Sequence, residues 1–362
     1  MLRGLAGLSR GATHNRQFAI RIERRRASSG TCRGTAREIV IVNKELTVAM
    51  LFGASLVVAG AARPWSTLRA LRASAADPKS IQTNETAQDW PAPSDAELKA
   101  RAQKLIANQH RNDRALEEYE RVEHQVSRTG GDYPRVLEDR TFRVVPTGSG
   151  TMKLLLKTDG KSVDPAEYRK QLQAWADLLA LMMKTEDFRT KAAVAKWQKR
   201  QQERAELVDT SPQAFSLSWV GIETRNGRRC DVLDLQPNPS FHPHTILQEA
   251  ISHVVAKIWI DHEAIQMVRA EARLLKDVSF GGGILGKLYR GGVFSLEQAE
   301  VSPGLWLPSR YQYDFTARKF LFTFEEHQYI EASQYHRDGP PKQALAIAQN
   351  ELATGKMTYG AQ

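Results

Sequence analysis

Between Ser94 and Arg337 the spacing of apolar residues alternates between a helical and a strand period. Ser94 and Glu97 form a capping-box pattern, and Leu98, Ala102, Leu105 and Ile106 then recur at helical spacing. From about Ala115 the period shifts towards two. The stretch 115–160 reads as three or four strands, turned at Gly130-Gly131, Pro146 to Gly150 and Asp159-Gly160. Asp164 with Pro165 opens a helix whose apolar face holds Tyr168, Leu172, Trp175, Leu179 and Met182. A second helix is expected over roughly 185–208; its charges of both signs read as a solvated face. Strands resume after Pro212. Val232 to Leu235 precedes a Pro-broken loop, a short helix around 245–252 and a strand at Lys257 to Asp261. Val268, Ala270, Ala272 and Leu274 alternate with Arg269, Glu271 and Arg273, as in a strand with one dry and one wet face.

A closing hairpin carries the largest apolar signal. Tyr311, Tyr313 and Phe315 alternate with polar residues. After a turn expected at Thr316 to Lys319, Phe320, Phe322 and Phe324 continue the pattern. Aromatics gathered on one face must meet a core, helices or a ligand. Residues 338–362 add one short helix after Pro340-Pro341, with no evident role.

The N-terminal part changes the reading of charge. The formal net charge is +10, but residues 1–44 hold ten Lys/Arg against two Asp/Glu, and 45–76 three against one. The remainder is balanced, so a nucleic-acid footprint is excluded from it. Leu46 to Ala62 is an uncharged apolar run of seventeen residues behind Lys44. It reads as a secretory signal, with cleavage sites at Ala59-Gly60-Ala61 or Ala73-Ser74-Ala75, or as a retained anchor at the lower limit of a spanning helix. The basic 1–45 segment ahead of an export signal fits translation starting near Val42. Residues 77–93 are polar, with prolines, as in a linker. Of the two cysteines, Cys32 lies upstream, so an exported body holds only Cys230 and no internal disulfide.

Candidate chemistry is sparse. Gly281, Gly283 and Gly286 match G-x-G-x-x-G, but the strand before them alternates as an antiparallel strand does. Gly291-Gly292 follows too soon for the helix a dinucleotide site needs. The glycines read as a flexible connection between antiparallel strands, tipped by Ile284, Leu285, Leu288 and Tyr289. His242 and His244 lack a signalled third metal ligand, and His262-Glu263 lacks the second histidine of a metalloprotease helix. Cys230 has arginine beside it but no histidine partner, and reads as a strand-edge thiol. No nucleophile elbow and no catalytic constellation occurs. The expectation is a protein that is not an enzyme and takes no cofactor and no metal.

Two stretches carry a resemblance: VVAKIWIDHEAIQMVRAEA, where a W-I-D strand turns into a second strand, and GGVFSLEQAEVSPGLWLPSRYQYDF, with its late L-W-L-P. Over about residues 95–337 the chain resembles the periplasmic outer-membrane lipoprotein carrier and sorting proteins (LolA/LolB-like fold). The resemblance implies an α+β fold: a strongly curved antiparallel half-barrel sheet whose apolar concave face is covered by helices. The domain would span 94–337 with a helical insertion at 164–208, which with the 236–252 segment makes it longer than the known carriers. No residue here is assigned to the carriers' functional arginine. The expected function is to hold lipid or lipoprotein acyl chains without catalysis, in the periplasm, as a monomer with envelope membrane proteins as further partners. The alternative is an envelope sensor of the same fold. The expected lining is Trp175, Met182, Ile258, Ile260, Val268, Leu274, Tyr311, Tyr313, Phe315, Phe320, Phe322 and Phe324, in a cavity free of charge.

Overall fold

The computed structural model describes residues 91–355 apart from 281, 282 and 284. The expected signal or anchor, the segment before it and nearly all of the linker lie outside the described residues. No described helix is long and apolar enough to cross a membrane.

Helix α1 (Asp95–Leu116) starts at the expected box: the Ser94 amide donates to Glu97 Oε2 at 2.7 Å, and the Glu97 amide donates to Ser94 Oγ. Four strands follow, β1 (Tyr119–Arg128), β2 (Val136–Pro146), β3 (Thr151–Thr158) and the two-residue β4 (Lys161–Ser162). Helix α2 (Pro165–Met182) is capped by Asp164, whose carboxylate accepts from the Ala166 and Glu167 amides. Helix α3 (Phe188–Ala214) runs beyond its expected end at 208 and contains Pro212 in its last turn. Thus Pro212 does not itself mark the return of strands; β5 (Phe215–Arg225) and β6 (Arg228–Pro237) follow directly. Then come α4 (Ile246–Ile251), β7 (Val254–Asp261), β8 (Met267–Leu274), β9 (Val278–Phe280), β10 (Gly286–Leu288), β11 (Val293–Ser302), β12 (Leu305–Lys319), β13 (Phe322–Arg337) and α5 (Pro341–Thr354).

The thirteen strands among the described residues join one antiparallel sheet of order β4-β3-β2-β1-β13-β12-β11-β8-β7-β6-β5, with β10 against the far end of β12 and β9 against β10. The path is open, with β4 and β5 at its ends. The fold is α+β with a large antiparallel sheet, as expected. Register shifts at Glu120/Val122, Thr141/Phe142, Trp219/Gly221, Trp259/Ile260 and Glu297/Gln298 break the ladders. Such bulges bend strands and increase twist. Gly221 has φ 150°, open to glycine alone at little strain, at one of these shifts.

Helices cover the sheet through separate clusters. Leu98 and Leu105 of α1 and Leu207 and Ala214 of α3 pack with the β5–β8 strands. Tyr168, Leu172, Trp175 and Leu179 of α2 pack with Val145, Leu154 and Leu156 and with Ala344 and Ala348 of α5. The helix expected in a C-terminal tail is therefore part of the core, because its small residues let it lie against α2.

The glycine match resolves as a hairpin. β9 and β10 pair antiparallel, with Gly286 opposite Phe280 and, on its other side, Lys319. A Cβ on Gly286 would stand 3.1 Å from the Arg318 carbonyl oxygen, so the third glycine serves close backbone approach. β10, not a helix, starts there.

Candidate functional site

Strand β12 runs four residues further than its sequence suggests. Thr316 pairs with Glu325 and Lys319 with Phe322, so the turn is Phe320-Leu321 rather than Thr316 to Lys319. Period-two alternation simply continues, and a two-residue turn matches the twist of the strands. Residues opposite one another share a face of the sheet. Tyr311, Tyr313, Phe315, Phe322 and Phe324 therefore lie on one face, and Phe320 leaves it for the turn. Their exposure is graded: Tyr311 and Tyr313 are buried, Phe315 is half-buried, and Phe324 and Phe322 are exposed. Phe315 and Phe324 meet edge-on at 6.3 Å, and Tyr313 and Phe315 lie 5.8 Å apart. On β13 the face is interrupted by Glu326 opposite Phe315 and Gln328 opposite Tyr313, whose hydroxyl donates to Gln328 Oε1 at 2.7 Å. Burial raises the Glu326 carboxyl above its usual range.

The other expected lining residues separate into groups. Ile260 and Leu274 are buried with α1 and α3, with Ile258 half-buried beside them; Phe315 packs against that cluster and also against Tyr311 and Tyr313. These two groups thus meet at Phe315. Val268 belongs instead to a small cluster with Cys230, Trp259 and Trp306. Trp175 is buried on α2 among α2–β3–α5 contacts, and Met182 is buried at the end of the same helix beside Ser149, so α2 covers the β1–β3 region rather than the hairpin. Trp175 Nε1 donates to the Pro146 carbonyl at 2.8 Å, a structural bond.

The interior is not free of charge. On β1, Arg121 and Glu123 are buried and bonded at 2.6 Å, and Lys153 Nζ lies 3.3 Å from Glu123. Burial would raise Glu123, but Arg121 and Lys153 hold it at about 2. The same charged pair acts on the phenols of Tyr311 and Tyr335, which burial drives upward. The aromatic face thus ends in an ionic cluster at its buried end and in solvent at its tip. Sequence reading missed this because Arg121 and Glu123 alternate with Glu120 and Val122, as charges on a wet face would.

A second buried network joins distant segments. Arg143 donates to Glu120 and Glu351, each at 2.7 Å, and to the Tyr168 hydroxyl at 3.0 Å. Glu120, His336 and Asp338 bring ligand atoms within 4.8 Å of one another, which could hold a cation. Yet Arg143 already neutralises Glu120, and burial pushes that carboxyl up to about 7 and raises Asp338 too.

His242 and His244 line an open cavity of about 780 Å3 between α3 and the β6–α4 loop, with Glu206, Asp209, Asn238 and Phe241. Cys230 lies on β6, which pairs on both sides, so it is an interior thiol and not an edge one. Burial pushes it up to about 11, which makes it a poor nucleophile.

No family model matches the chain, and no curated protein matches it. Solved structures do. A DUF1329 family protein from Desulfovibrio piger aligns at 11% identity over 66% of this chain and 92% of its own, with TM-score 0.26. A putative outer membrane lipoprotein-sorting protein domain from Vibrio parahaemolyticus aligns at 10% identity over 70% and 98%, with TM-score 0.28. A LolA superfamily protein from Nitrosomonas europaea aligns at 11% over 67% and 96%, with TM-score 0.26. Two of these carry the sorting-protein or LolA description that the W-I-D and L-W-L-P strands suggested.

Proposed function

We propose that the chain is a non-catalytic, exported lipid-handling protein that takes acyl chains of lipids or lipoproteins against the β12–β13 hairpin. The observation that carries this is the aromatic face running from buried Tyr311 and Tyr313 through Phe315 to exposed Phe324 and Phe322. Such a face gives an acyl chain a path from solvent to the edge of the core, and burying apolar area drives entry without any reactive group. Arg121, paired with Glu123, closes the inner end of this face near Tyr311 and Tyr335.

A second reading, a partner-binding envelope protein of the same fold, is favoured by the open polar cavity of about 780 Å3. Native mass spectrometry of the protein purified from cells without detergent separates the two. Phospholipid or lipopeptide adducts are expected, and Phe322→Asp with Phe324→Asp, in a protein that still folds, should remove them. A wild-type mass free of adducts overturns the carrier.

A further inference from the structure

At the tip of the hairpin the chain places large apolar groups where soluble proteins place small polar ones. Leu321 is 90% exposed, Phe322 79% and Phe320 52%, with Leu285 at 57% beside them. The Phe320 amide donates to the Leu285 carbonyl at 3.2 Å, so Leu285, just before β10, stands beside the β12–β13 turn. Phe320 takes φ 53°, a conformation that favours Asn or Gly in tight hairpin turns and strains a bulky side chain. Fold stability alone would not select Phe-Leu-Phe at that apex.

The surroundings are basic. Residues 276–291 and 316–325 contain Lys276, Lys287, Arg290, Arg318 and Lys319 against Asp277 and Glu325. Lys287 is paired with Asp277 at 2.7 Å, and Arg318 donates to the Gly283 carbonyl at 2.9 Å, whereas Lys319 and Arg290 are exposed. Exposed Phe and Leu with Lys319 beside them, and Arg290 and Lys276 beyond the far end of β9–β10, match the interface of a bilayer with anionic headgroups, apolar groups entering the acyl boundary and cations meeting phosphate. A protein partner would need a shaped counter-surface; a bilayer needs only a protruding apolar apex.

We infer that this tip, Phe320 to Phe322 with Leu285, docks the protein shallowly onto anionic membrane surfaces. The inference rests on the reading of the hairpin as the lipid-facing end, and it specifies where the acyl chains are met.

The test uses the full chain carrying Leu321→Trp as a local reporter, mixed with phosphatidylcholine vesicles containing or lacking phosphatidylglycerol and brominated acyl chains. Expected are a blue shift of the added fluorescence and its quenching by bromolipid, stronger with phosphatidylglycerol. Lys319→Glu with Arg290→Glu should weaken quenching at least threefold, and Phe322→Ser at least tenfold, with unchanged circular dichroism. Emission that neither shifts nor quenches while the chain sediments with vesicles overturns docking by the tip. So does tip-dependent self-association, measured by light scattering, in place of vesicle binding. Adduct-free protein that still docks would remove the carrier and keep the tip; adducts without docking would do the reverse.

Discussion

Arg143 shows how one side chain can hold three segments. It is fully buried on β2 and bonds Glu120 of β1 and Glu351 of α5. Removing one member of a buried ionic group strands the others, so Arg143→Leu should cost about 3–5 kcal/mol in urea unfolding. The carboxyls give this network a pH dependence. Glu120 titrates at about 7 in the fold against 4.5 ordinarily, because burial penalises its charge more than Arg143 favours it. The folded state thus binds the extra proton: its contribution is complete below 4.5 and is lost as pH rises to about 7. At about 1.4 kcal/mol per pH unit, wild-type stability should fall by up to about 3 kcal/mol more than that of Glu120→Gln across this window. Asp338, also raised, interacts with Glu120 and with His336 between them, so the difference in slope reports the Glu120–Asp338 pair together. Equal slopes in urea titrations at pH 5 and 7.5 would refute the assignment. None of this was legible in the sequence, since Arg143 in RTFRVVP follows the alternation of a half-wet strand. Which face is wet depends on α5, some 200 residues away.

Among the elements, the hairpin tip contains the clearest conflict between local propensity and the fold. Replacing Phe320 by Gly or Asn relieves a left-handed bulky residue and should stabilise the protein by about 1 kcal/mol, read as a rise in Tm. An unchanged or lowered Tm would mean that its phenyl ring packs more than its exposure indicates. Gly286→Ala should act oppositely. Its new methyl would meet the Arg318 carbonyl at 3.1 Å and the Phe280 ring at 3.3 Å, so β9 and β10 would loosen from β12. Most elements were readable because their signals are local: the Ser94 and Asp164 caps, and the glycine turns between β1 and β4. The Phe320-Leu321 turn was not, because it carries no Gly, Pro, Asn or Asp and sits next to polar Thr316 and Arg318, which mimic a loop. The face of the hairpin was readable by alternation, but its grading from buried to exposed depends on where α1 and α3 end.

For the whole molecule, the decisive pairing is β1 with β13, which brings the first and last long strands to the centre of the sheet. No local pattern encodes that neighbour. It explains why α5, arriving just after β13, falls onto α2 beside β1–β3 and completes that cluster through Ala344 and Ala348. The α1–α3 cluster over β5–β8 shares no member with it. Local stability should therefore divide along the same line. Ending the chain before Pro340 would uncover Leu172, Trp175 and Leu179 and leave Arg143 without Glu351, while the β5–β8 cluster keeps all its partners. Hydrogen exchange should then accelerate by orders of magnitude in α2 and β1–β3, with β6–β8 protected nearly as in the intact chain. Uniform acceleration through the sheet would mean that the central strands couple the two clusters into one cooperative unit.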